Sequence, residues 1–175
     1  TGGTISINSS AVSGGGVYNA GNFIMSGGEI SANTAASNGG AIYNEDGTVY
    51  IYGDTLIGKE VSSAPTSYSS ASNYAKKGGA ICVNGGTVYL GYKNNNGTAQ
   101  KDDSANVRIM GNAVKTSDSK GGAIYVEAGT LQIAKTCIGF NYSPYSGAGI
   151  YTKGSVRLLE DAVVKGNNAF NQGGG

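Results

Sequence analysis

A chain of 175 residues is long enough to bury one core, yet its 31 glycines, two prolines and complete lack of histidine set it apart from an average globular sequence. Twelve basic and eleven acidic residues leave a formal charge of +1, a balance that points neither to nucleic acid nor to an anionic membrane. Histidine-ligated zinc and histidine general-base chemistry are excluded, no Gly-X-Y period supports a collagen helix, and no apolar run reaches the roughly 20 residues of a membrane helix.

Read in chain order, the sequence repeats itself. It opens inside a unit, at TGGTISI, as a segment of a longer solenoid would, with Ile5-Ser6-Ile7 as an alternating stretch. Next come GGGVYN (14–19), an alternating FIM (23–25) and ISAN (30–33). The second unit reads GGAIYN (39–44), VYI (49–51) and then IGKE (57–60), where an aliphatic-x-x-Asn phrase is expected. A Ser-rich insertion, 61–77, leads into GGAICV (78–83) and VYL (88–90). A second insertion, 92–106, separates these from IMGN (109–112). GGAIYV (121–126), LQI (131–133) and IGFN (138–141) follow, then GAGIYT (147–152), VRL (156–158) and VKGN (164–167). The aliphatic anchors Val17, Ile42, Ile81, Ile124 and Ile150 lie 25, 39, 43 and 26 residues apart, which is one unit of about 25 with insertions of about 14 and 18.

Short period-2 segments joined by glycine-rich corners read as strands. A three-strand unit of constant length cannot bury its apolar face alone, whereas stacking unit on unit buries it and sets equivalent strands side by side in parallel. The expectation is therefore an all-β fold, a right-handed parallel β-helix with three strands per coil, forming a single domain over 1–175. A β-sandwich would show hairpin turns every 8–12 residues without this register. Four apolar columns follow: Val17 through Ile150; Phe23, Val49, Val88, Leu131 and Val156; Met25, Ile51, Leu90, Ile133 and Leu158; and Ile30, Ile57, Ile109, Ile138 and Val164. In the repeated phrase the glycines turn the corner, the alanine and tyrosine face outward, and the isoleucine enters the core. Asn33, Asn112, Asn141 and Asn167 share a corner, either as a side-chain amide ladder or as residues that tolerate a left-handed turn.

The residues left over bear on function. Tyr18, Tyr43, Tyr125 and Tyr151, with Cys82 among them, form an outward column beside Tyr50, Tyr52 and Tyr89. The four tyrosines are the candidate binding surface, set against a purely structural account by β propensity and cross-strand stacking. The two insertions offer polar contacts to a glycan or a protein surface. Glycosidase chemistry needs two convergent carboxylates. The acidic candidates are Glu45 and Asp46, Asp102 and Asp103, and Glu160 and Asp161, whereas the outward positions beside the x-x-Asn phrase are Glu29, Leu56, Arg108, Cys137 and Val163, which is no acidic row. KDDSAN is thin for calcium. No catalytic residue, metal site or cofactor is expected, and Cys82 and Cys137, on different strands, are expected as free thiols.

GGAI at 39–42, 78–81 and 121–124, together with the x-x-Asn phrases, resembles the GGAI/FxxN repeats of chlamydial polymorphic outer membrane proteins. It is also similar to the GGAIYN…GGTVTI…GN repeats of large secreted bacterial surface proteins. Ile or Val stands here where the chlamydial repeat has Phe, which favours the broader group. The resemblance implies an exported right-handed β-helix at the bacterial cell surface or outside the cell. Its role would be adhesion, display or a stalk, with a host surface protein or glycan as partner. A polysaccharide lyase or hydrolase, and a filament subunit that self-associates end to end through uncapped strands, are the alternatives.

Overall fold

The computed structural model describes residues 2–63, 65–67 and 69–175. Every regular element among them is a β-strand, and the strands stack into two parallel sheets of six and two of five, with one separate two-stranded sheet. The result is a parallel β-solenoid in which each apolar column holds its register. Ile81 pairs with Ile42 on one side and Ile124 on the other, and Val88, Leu90 and Ile109 are likewise flanked by their column mates. The middle members of all four columns are fully buried in one continuous core. This follows from the period-2 pattern, since one face of every strand is apolar at every coil.

The first sheet, here the Tyr sheet, contains Val17–Asn19, Ile42–Asn44, Ile81–Val83, Ile124–Val126 and Ile150–Thr152. The second contains Asn22–Met25, Thr48–Ile51, Thr87–Leu90, Thr130–Ile133 and Ser155–Leu158. The third runs through Gly28–Ser31, Asp54–Gly58, Asn106–Met110 and Thr136–Gly139, with Gly3–Ser6 and Val163–Lys165 at its edges.

Three strands per coil is an undercount. A fourth sheet, the corner sheet, is made of two-residue strands such as Thr34–Ala35, Tyr74–Ala75, Ala113–Val114 and Tyr142–Ser143. Two residues carry no period, so alternation could not reveal them. Beyond it a column of single bridges, Ser13, Asn38, Lys77, Lys120, Ser146 and Gln172, leads back to the Tyr sheet.

The paired glycines serve two different purposes. Gly39, Gly78 and Gly121 have φ of +62°, +64° and +70°, the left-handed region that side chains disfavour. The glycine after each is a matter of space. A Cβ on Gly40, Gly79 or Gly122 would stand 2.2, 2.3 or 2.5 Å from a carbonyl oxygen of the following coil. The alanine that comes next (Ala41, Ala80, Ala123) does not face outward as its alternation implied. It is fully buried and packs in the core.

The asparagine corner is an amide ladder. Each side chain donates to the Oδ1 of its counterpart one coil on: Asn8 to Asn33 at 2.9 Å, Asn33 to Asn73 at 3.1 Å, Asn73 to Asn112 at 2.9 Å, Asn112 to Asn141 at 3.1 Å and Asn141 to Asn167 at 2.9 Å. Each Nδ2 from Asn33 onward also donates to a carbonyl of the preceding coil, for instance Asn112 to Ile57 at 2.8 Å and Asn141 to Ile109 at 2.9 Å. The left-handed residue at this corner is the one before the asparagine: Ile7, Ala32 and Phe140 have φ of 59°, 55° and 54°. Asparagine is therefore selected for its amide and not for a left-handed backbone. The second coil keeps its rung, because Asn73, at the far end of the insertion, fills the place that IGKE leaves empty.

Both insertions leave the stack intact. Residues 92–101 form an antiparallel hairpin, Tyr92–Asn95 with Thr98–Lys101, turning at Asn96 and Gly97, both with positive φ. Of segment 61–77, Ala64 and Tyr68 lie outside the described residues. Its last residues, from Asn73, already belong to the coil. Upstream, the loop reaches the last corner strand, where Asn168 Nδ2 donates to the Pro65 carbonyl at 2.9 Å.

Candidate binding surface

Tyr18, Tyr43, Cys82, Tyr125 and Tyr151 do form one column, each paired in register with the next. Side chains at strand spacing cover one another, however, and the column is not the open aromatic strip its outward position implied. Tyr18 is 53% exposed, but Tyr43 falls to 9% and Tyr125 to 1%, and Tyr43, Cys82 and Tyr125 make a second, smaller apolar cluster against which Tyr151 packs. Rings meet at 5.3 Å between Tyr18 and Tyr43, and at 5.3 Å and nearly parallel between Tyr125 and Tyr151.

Cys82 interrupts the aromatic stack, and a lysine covers the next ring. Lys77 Nζ lies 5.0 Å from the centroid of Tyr125, and Lys120 repeats the arrangement 4.7 Å from Tyr151. Glu127 gathers the network, accepting from Lys153 at 2.6 Å, from the Tyr125 hydroxyl and from Lys77 at 3.2 Å. These bonds, Lys153 first, hold its carboxyl down to about 2. Burial pushes the Cys82 thiol up to about 12, and burial also raises Tyr43 and Tyr125. At the open end, a hydrogen bond to Glu45 raises the Tyr18 hydroxyl to about 12. The buried part of the column thus behaves as structure, and Tyr18 and Tyr151 are the members left to solvent.

On the next face Tyr50 and Tyr89 stack at 5.1 Å, and Tyr92 from the hairpin tilts against Tyr89 at 5.6 Å. Tyr50 too is buried. The hairpin is pinned at its base by Asp102, which is almost fully buried. Burial raises its carboxyl, but the Ser104 hydroxyl at 2.7 Å, the Ser104 amide and the Gly53 amide outweigh that and lower it overall. Asp102 is a loop anchor.

Three of the other acidic candidates are held in ion pairs, Asp103 and Glu160 with Lys101 and Asp161 with Lys135, and Glu45 is hydrogen-bonded to Tyr18. On the third sheet the outward positions are in register as expected, Glu29, Leu56, Arg108, Cys137 and Val163. There Arg108 binds Asp54 at 2.8 Å and lies 2.7 Å from Glu60, the latter contact off the hydrogen-bond line. An open groove of about 450 Å³ runs beside it, lined by Thr4, Glu29, Asp54 and Leu56. Among the described residues no three Asp, Glu or Cys side chains stand close enough together to hold a metal ion. Cys82 and Cys137 are free, on different sheets.

Sequence reasoning missed Asn73, the lysine covers and the Glu127 clamp. Asn73 is hidden by the insertion before it. The Lys–Tyr and Lys–Glu contacts join residues tens of positions apart. No family model, curated protein or solved structure matches the chain.

Proposed function

We propose that this chain is a non-catalytic binding or display module: a right-handed parallel β-helix of about 25 residues per coil, secreted or displayed at a bacterial cell surface. It serves adhesion to a host protein or glycan, or carries other domains as a stalk. One observation supports this most directly. The residues that recur from coil to coil go into a core and an amide ladder that run unbroken past two insertions, so the coil is a rigid support and the chain's variety lies in what projects from it. Loops on a rigid scaffold are where recognition concentrates. The partly exposed Tyr18 and Tyr151 and the hairpin are the surfaces that fit this role. A glycan and host-matrix binding array, run beside a polysaccharide depolymerisation assay, tests the reading. Binding without product release is expected. Release of oligosaccharide from any polymer would overturn it in favour of a carbohydrate-active enzyme.

A further inference from the structure

The near-neutral charge of the chain conceals a local concentration. Lys77 and Lys120 are bridge partners at the corner between the corner sheet and the Tyr sheet. Lys76 and Lys115 follow directly after the paired Ala75 and Val114, and the Lys120 amide donates to the Lys76 carbonyl at 3.1 Å. Four lysines from two adjacent coils therefore occupy one corner, two abreast along the stack axis. Lys76 and Lys115 are exposed, Lys77 and Lys120 half-buried.

Like charges opposite one another across strands destabilise a sheet, so this block works against the fold that carries it. Lys101, Lys135 and Arg108 rest on carboxylates. In the block, Glu127 serves Lys77 but is shared with Lys153, and Asp118 lies in the adjoining turn, held by the Thr116 hydroxyl at 2.6 Å. Lys120 takes Tyr151 as its partner, at 3.2 Å from the hydroxyl. Lys115 lies 5.9 Å from the centroid of Tyr74. The aromatic rings orient the ammonium groups without cancelling their charge.

From this register we infer that the lysine corner of Lys76, Lys77, Lys115 and Lys120 binds a polyanionic glycan, a linear saccharide with carboxylate or sulfate groups lying along the stack axis. Charges repeated at the spacing of stacked strands, about 4.8 Å, suit an anionic chain running parallel to the rod. Nucleic acid fits the corner less well. Single strands need open aromatic faces for their bases, and the rings here, Tyr74, Tyr125 and Tyr151, each carry a lysine.

The inference rests on the binding-module reading and names its ligand class. The test measures binding of a short heparin fragment by calorimetry, with dextran of equal length, an oligodeoxythymidylate and anionic phospholipid vesicles as comparators. Heparin should bind, and weaken as salt rises from about 0.05 to about 0.2 M. The Lys76→Gln/Lys115→Gln double variant, whose changes are both at exposed positions, should lose about tenfold in affinity with its melting temperature no lower than the parent's, and Asp118→Asn should bind more tightly. Equal or better binding of dextran, oligonucleotide or vesicles overturns the assignment, as does a folded double variant that binds heparin like the parent. If heparin fails while another ligand on the array binds, the glycan assignment falls and the module reading stands.

Discussion

At the level of single residues, position in the repeat decides the fate of each side chain more than its chemistry does. Cys82 occupies a tyrosine place, between Tyr43 and Tyr125, and burial above all raises the pKa of its thiol, against the opposing charge of Lys77. Cys137, on the outward face of the third sheet, is half-buried. Only a thiolate reacts readily, and the raised pKa keeps Cys82 protonated at neutral and mildly alkaline pH. Alkylation of the folded chain at about pH 8 should therefore modify Cys137 alone, and in denaturant both; mass spectrometry that finds Cys82 labelled as fast as Cys137 in the native state would contradict this. The second glycine of each phrase is a comparable case. Replacing Gly79 by alanine drives a methyl group against the Gly122 carbonyl in a place where neither backbone can retreat, and should cost about 2 kcal/mol or more in a denaturant melt.

At the level of elements, the columns carry the stability. The asparagine ladder does more than cap a corner, because each amide satisfies its neighbour and a buried carbonyl together. Removing one rung leaves several buried polar groups without partners, each costing about 1–3 kcal/mol. Asn112→Ala should thus destabilise by about 3 kcal/mol, whereas Asn167→Ala, at the half-buried end of the ladder, should cost less than half as much; equal losses measured by chemical denaturation would refute a cooperative ladder. The Tyr column shows the reverse lesson. Its regular outward register promised a surface, and the same regularity closed most of it by packing ring on ring.

At the level of the whole molecule, the strands of each coil pair only with those of the neighbouring coils, and only the excursions reach further, as Pro65 does to Asn168, so an excursion from one coil need not disturb the next. The hairpin tests this. Gly91 and Asp102 flank it, and the Asp102 amide already donates to the Gly91 carbonyl at 2.9 Å, so residues 92–101 can be replaced by a short glycine link without moving either flanking strand of that coil. Loss of the Tyr89–Tyr92 contact should cost about 1 kcal/mol, and thermal melting of the excised variant should stay within a few degrees of the parent. A collapse of the melt would mean that the hairpin is part of the core. Bringing coils together also creates what no single coil has. Lys76 and Lys77 belong to one coil, Lys115 and Lys120 to the next, and only the stack makes them one charged corner.

The sequence by itself determined the all-β stack and its four apolar columns, because period-2 alternation and a constant repeat length are local statements that every coil restates. Four of the six ladder asparagines were legible in the same way, whereas the antiparallel hairpin inside the second insertion was not read from the sequence. Tertiary structure alone decided what lies between coils. It placed Asn73 in the ladder after a loop whose length hides it, turned Ala41, Ala80 and Ala123 inward, closed Tyr43 and Tyr125 under their neighbours, and gathered lysines some forty positions apart. Burial and charge density are sums over neighbouring coils, and a sequence that balances its charges along the chain says nothing of where folding will set them side by side.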